Sequence, residues 1–121
     1  MLRLLVIALA MLGLDIQAST VLAQTLTLDS YLHPPNEIQG IFSKAYLAGA
    51  KDGLNVLNAA IAQKYGLNAL LFCPPPNLAL TEDQVGDIVR RWVKDRGVRS
   101  DTPVAIVLLY GLEETFSCTK P

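Results

Sequence analysis

The chain holds one histidine, two cysteines and one tryptophan in 121 residues, and each scarcity closes off some chemistry. Four-ligand zinc sets built from Cys and His cannot be assembled from His33, Cys73 and Cys118. His33 stands before two prolines in an extended segment, where a lone imidazole reads as a surface residue ahead of a general base. Neither charge sign dominates. Ten Lys/Arg against eleven Asp/Glu give a net charge of −1, so the basic excess of a phosphate- or nucleic-acid-binding surface is missing. A glycine-rich phosphate loop is also missing, and no cofactor or metal site is expected. The one long apolar run, residues 4–14, has eleven residues, short of the ~20 that span a bilayer.

That run, preceded by Arg3 and followed by Val21-Leu22-Ala23, has the layout of a signal peptide cleaved after Ala23. Cleavage after Ala18 and an uncleaved anchor are the alternatives. No cysteine lies near the cleavage site, so a lipid anchor and lasting membrane association are not expected. The expected division is a signal peptide at 1–23, an N-terminal arm at 24–35 and a helical domain at 36–121. Removing 1–23 leaves 98 residues, and the net charge stays at −1 because Arg3 and Asp15 leave together. Export places Cys73 and Cys118 in an oxidising compartment, where one intramolecular disulfide is expected; two free buried thiols would require a cytosolic chain. Closing that loop is worth about 4 kcal/mol in the chain-entropy model. This is a large share of the roughly 5–10 kcal/mol that holds such a domain together.

The expected fold class is all-α: a small bundle of three main helices plus short segments, closed by the disulfide. In the arm, Thr25-Leu26-Thr27-Leu28 alternates like a short strand that lacks a partner. Asn36 can cap a helix running to about Lys64. In it Phe42, Tyr46, Ala50, Leu54, Leu57 and Ile61 form one apolar stripe, the predicted inner face. Gly49 and Gly53 edge that stripe. They point either to close contact with a neighbouring helix or to a break. Tyr65-Gly66-Leu67-Asn68 reads as a C-cap and turn. Thr81 and Gln84 form a capping box, with Val85, Ile88, Val89, Trp92 and Val93 inward and Gly97 as the stop. Thr102 and Pro103 open a last helix to about Phe116, apolar enough in its first half to sit at the bundle centre, with a strand at 104–109 as the alternative.

Catalytic constellations are scarce. Glu82 and Asp83 suit a helix N-terminus, and Glu113 and Glu114 suit a polar helix edge. The one charge concentration is Arg90, Arg91, Lys94, Arg96 and Arg99, interleaved with Asp87 and Asp95. It reads first as a solvated face and second as a docking surface for an acidic partner. Recognition residues sit most often on loops carried by a rigid scaffold, here 66–69, 74–77 and 97–101. The candidate partner-binding residues are therefore Asn68, Asn77, Arg90, Arg91, Lys94 and Arg99.

In order along the chain stand Ala45-Tyr46-Leu47-Ala48-Gly49, Phe72-Cys73-Pro74-Pro75, Leu80-Thr81-Glu82-Asp83-Gln84-Val85, Leu109-Tyr110-Gly111-Leu112 and Phe116-Ser117-Cys118. Over residues 42–118 this resembles the Rap/Tai family of type VI secretion immunity proteins. The usual Phe-Pro-Cys ending is replaced by one with Ser117 in the middle. The resemblance implies a periplasmic helical protein with a structural Cys73–Cys118 bond. It implies a role in binding a peptidoglycan-degrading effector and occluding its active site, with no catalysis of its own. It also leaves pairing of two copies open. A periplasmic stress protein or chaperone of similar layout is the alternative function, and an enzyme is the least expected.

Overall fold

In the computed structural model, residues 25–119 are described, and the expected signal peptide lies outside them. Four α-helices follow one another: α1 (Leu28–Leu32), α2 (Glu37–Tyr65), α3 (Glu82–Val93) and α4 (Val104–Thr115), with a short 3-10 turn at Leu67–Ala69. The fold is all-helical, with no strand among the described residues and a disulfide joining Cys73 to Cys118. The core gathers Leu28, Leu47, Phe72, Val85, Val89 and Leu108 with their neighbours, and α3 and α4 pack together most extensively.

The arm differs from expectation. Instead of a strand it forms α1, and only Thr27 makes an isolated bridge, to Pro103. The Thr27 hydroxyl accepts the Ser30 N–H at 3.2 Å. The free N–H groups of the first turn go to the loop before α4: Leu28 N donates to Thr102 O at 2.8 Å and Asp29 N to Ser100 O at 3.0 Å. Leu28 and Tyr31, three apart, are both buried. A five-residue helix gains little from its own hydrogen bonds, so docking on a distant segment decides it, and local alternation does not show that.

Helix α2 begins where the sequence places it, with Asn36 Oδ1 accepting Gln39 N–H at 2.9 Å, and ends at Gly66, whose φ of +91° favours glycine. It runs unbroken through Gly49 and Gly53. Ala50 and Leu54 of the expected stripe pack against the core, but the rest of the inner face is turned by one residue. Ser43, Leu47 and Asn58 are buried, while Phe42, Tyr46 and Leu57 are exposed. The cause is polar. Asn58 donates from Nδ2 to Phe72 O at 2.7 Å and accepts Leu71 N–H at 2.8 Å, so it clips the strap 70–73 onto α2. A buried amide paired on both sides holds its face inward.

Helix α3 carries the full capping box, Thr81 with Gln84, and buries Val85, Ile88 and Val89. It stops at Val93, before the expected Gly97. Asp95 already turns the chain at φ +62°, and the Arg96 guanidinium binds the otherwise orphaned Trp92 carbonyl. The cap of α4 is Pro103, with no side-chain bond; Thr102 instead gives its carbonyl to Leu28. Val104, Val107, Leu108 and Leu112 are buried, but Ile106 and Tyr110 leave one side of α4 open. The glycines that allow close approach are not the expected Gly49 and Gly53, where an added Cβ meets nothing within 4 Å. They are Gly111, where it would lie 2.6 Å from Ile88 Cγ2, and Gly86, where it would lie 2.6 Å from the Tyr31 hydroxyl.

Candidate functional site

Between the strap and α3 the chain projects a loop, residues 74–79, every one of them exposed. Its base is fixed twice. Cys73 is bonded to Cys118, and Cys73 N donates to Phe116 O at 2.7 Å. Its tip is a tight turn in which Leu78 N donates to Pro75 O at 3.3 Å. Pro76 takes the second position and Asn77, at φ +61°, the third. Proline presets its own φ and asparagine tolerates a positive one, which is the chemistry of a type II turn. The tri-proline run is stiff on its own account. The sequence thus specifies a projecting loop with little freedom to lose.

Beside it lies a groove of about 480 Å³ lined by Asn55 and Ala59 of α2, the prolines, Asn77, Leu78 and Phe116. Leu80 and Phe116 also line a second groove of about 440 Å³, whose far wall is Gln84, Asp87 and Arg91. Loop and grooves form one continuous relief with an apolar ridge, Leu80 and Phe116, and polar walls on either side.

The six candidate partner-binding residues do not come together in one cavity. Asn77 is at the loop tip and Arg91 on the wall of the second groove. Asn68 is exposed on the 3-10 turn, and Lys94 is exposed at the end of α3. Two of the cations face carboxylates of their own chain: Arg90 lies 3.0 Å from Asp87, and Arg99 binds Asp101 through two nitrogens at 3.0 and 2.7 Å. Arg96 reaches Glu114 at 2.7 Å and lies over the Trp92 ring, which stacks on Tyr110. Around Arg90, Arg96 and Arg99 the surface is a solvated, self-neutralised face. From the sequence, Leu80 and Phe116 stand out only as motif residues and Leu78 not at all, although the Pro-Pro-Pro-Asn run marks the turn that presents Leu78.

His33 Nδ1 sits 3.1 Å from Asp29 Oδ1, both exposed. Burial pushes the Tyr31 phenol above its ordinary range, with Arg90 pulling it down and Asp87 and Asp83 pushing it further up. Among the described residues no three His, Cys, Asp or Glu side chains converge on a common point that could hold a metal.

A second feature stands apart from the loop. The outward side of α2 exposes Ile38 at 65%, Phe42 at 64% and Val56 at 70%, with Ile41, Tyr46 and Leu57 also open. Along its edge a shallow groove of about 570 Å³ is floored by Gly49, Ala50, Gly53 and Leu54 and closed by Ala105 of α4. No family model, curated protein or solved structure matches the chain.

Proposed function

We propose that this protein is an exported, non-catalytic inhibitor that binds a secreted toxin, of the peptidoglycan-degrading type VI class, and blocks its active site in the periplasm. The observation that carries this reading is the loop 74–79, exposed in every residue yet held at its base by a disulfide and at its tip by a Pro-Asn turn. A preorganised loop gives up little conformational entropy on binding, so most of its contact energy appears as affinity. Leu78 at the tip supplies an apolar anchor. Leu80 and Phe116 supply the ridge behind it, and Asn77 and Asn55 supply hydrogen-bonding groups at the rim. Arg91 and Lys94 stand on the same side of α3 and would steer an acidic partner, an effect on association rate more than on final affinity.

The test is titration of the purified protein into peptidoglycan hydrolases, any encoded beside its gene included. Stoichiometric binding with loss of hydrolase activity is expected. Leu78→Asp, at an exposed position, should weaken binding at least tenfold without unfolding the protein. No binding by the wild-type chain overturns the reading.

A further inference from the structure

The open side of α4 carries Ile106, Tyr110 and Glu114 at successive intervals of four, so all three lie on one helix face. Tyr110 is 46% exposed on a helix whose opposite face is core. Its ring does not stand alone. It stacks on Trp92 of α3, with ring centres 5.4 Å apart and planes 26° from parallel. The Arg96 guanidinium lies over the Trp92 ring at 4.9 Å, donates to the Trp92 carbonyl and binds Glu114 Oε2 at 2.7 Å. Two helices therefore brace the phenol ring and leave it nearly half open. A hollow of about 250 Å³ lies beside Trp92 and Glu114. None of these side chains belongs to the loop 74–79 or lines its two grooves.

We infer that this cluster is a saccharide-binding site, which takes a neutral glycan of pyranose units with one sugar ring lying on Tyr110. The face of an aromatic ring is apolar and carries negative potential. The axial C–H groups of a pyranose are apolar and weakly positive, so a sugar covers such a face where a carboxylate is repelled. The sugar hydroxyls then project past the ring edge and need both donors and acceptors. Glu114 Oε1 accepts, and the guanidinium N–H groups that Arg96 does not spend on Trp92 and Glu114 donate. Charge selects the neutral ligand. An anion finds Arg96 already neutralised by Glu114, and a cation finds Glu114 already neutralised by Arg96. The stack fixes the ring before a ligand arrives, so little conformational entropy is lost on binding. From Ile106 to Glu114 the face is about 12 Å long, room for a disaccharide. The exported location proposed above supplies such a polymer, the glycan strands of peptidoglycan; only the source of the glycan rests on that reading.

Trp92 is the one tryptophan of the chain and touches the platform, so its fluorescence reports occupancy. Titration of the purified protein with chitotetraose, the tetramer of N-acetylglucosamine, should give a saturable change with a Kd on the order of 1 mM. Added salt should leave it unchanged, because no net charge is engaged. Tyr110→Ala, at an exposed helix position, should keep the helical circular dichroism and weaken binding at least tenfold, whereas Tyr110→Phe keeps the ring and should bind as the wild type does. Absence of a saturable response overturns the proposal. Binding that survives Tyr110→Ala puts the sugar elsewhere and also overturns it, as does an equal response to a short acidic peptide. Retention on purified peptidoglycan sacculi, lost in Tyr110→Ala, assigns the source; binding of the soluble tetramer without retention supports the site and assigns another glycan. Leu78→Asp should leave the titration unchanged, and Tyr110→Ala should leave hydrolase inhibition unchanged, so this inference and the inhibitor reading fail separately.

Discussion

Helix α3 has one apolar row, Val85, Ile88 and Val89, and surrounds it with Asp87, Arg90, Arg91 and Lys94. Helix α2 has two, on opposite sides, and the domain covers the poorer one. Ser43 and Asn58 are buried, whereas Ile38, Phe42 and Val56 face out. The difference lies in what each row must satisfy. The row of α3 needs only apolar neighbours, and α4 supplies them across the close contact of Ile88 with Gly111. The inner row of α2 must bind the backbone of the strap through Asn58, and burial of that amide fixes the rotation of the whole helix. Hydrophobic periodicity marks a face to be covered, but not whether the cover comes from the same chain.

The largest effect expected from breaking this arrangement is at the disulfide, which ties the strap on α2 to the end of α4. Replacing Cys73 and Cys118 together by Ser opens a loop of sequence separation 45 and should cost about 4 kcal/mol, read as a fall in the urea midpoint. Next come the two faces of α2. Leu47→Ala, on the buried side, should cost about 3 kcal/mol. Asn58→Ala leaves Leu71 N–H and Phe72 O without their partner and should cost about 3 kcal/mol as well. Phe42→Ala, on the open side, should change monomer stability by less than about 0.5 kcal/mol. If Phe42 matched Leu47 in dilute solution, the assignment of inner and outer faces would be wrong.

Wherever the signal was local, the sequence was legible. Asn36 caps α2, Thr81 and Gln84 box α3, Gly66 ends α2, and the last helix runs to Phe116, because each rests on hydrogen bonds within four residues. Cysteine pairing was legible because only one intramolecular bond was available. The failures were tertiary. Helix α1 exists through bonds to Ser100 and Thr102, some seventy residues away. The stop of α3 falls earlier because Lys94 already leaves the helical region, followed by Asp95 in a left-handed conformation ahead of Gly97. The face of α2 was legible at Ala50 and Leu54 but not at Phe42, Tyr46 and Leu57, where a buried amide, which no hydropathy pattern reveals, turns Ser43, Leu47 and Asn58 inward instead. Of the candidate site, Asn77 could be found from its turn chemistry. The ridge of Leu80 and Phe116 could not, because it exists only once the disulfide brings 73 to 118.

A smaller effect separates the glycines of the two helices. Gly53→Ala should raise monomer stability by up to about 1 kcal/mol, since the helix gains propensity and the new methyl meets open space. Gly86→Ala and Gly111→Ala should lower it, because a Cβ there would lie 2.6 Å from the Tyr31 hydroxyl or from Ile88 Cγ2. Thermal melts at low protein concentration compare the three. Destabilisation by Gly53→Ala in the monomer would mean that the outward face of α2 is already covered within the chain.

The smallest expected effect appears only at high pH, and it sharpens the account of α3. Its inner side receives the Tyr31 ring, and burial holds that phenol above its ordinary range. The folded state therefore keeps the proton more tightly than the unfolded chain. This contribution is fully present below the unfolded value, about 10. It is lost as pH rises from there through the folded value, because the unfolded chain releases its proton first. Urea unfolding from pH 8 to 11 should show stability level at first and then falling. Tyr31→Phe should flatten the part of the fall due to this group and leave stability near pH 7 nearly unchanged, because the ring still fills the site. An alkaline slope unchanged by Tyr31→Phe would place the phenol in water, and the packing of α1 onto Gly86 would have to be redrawn.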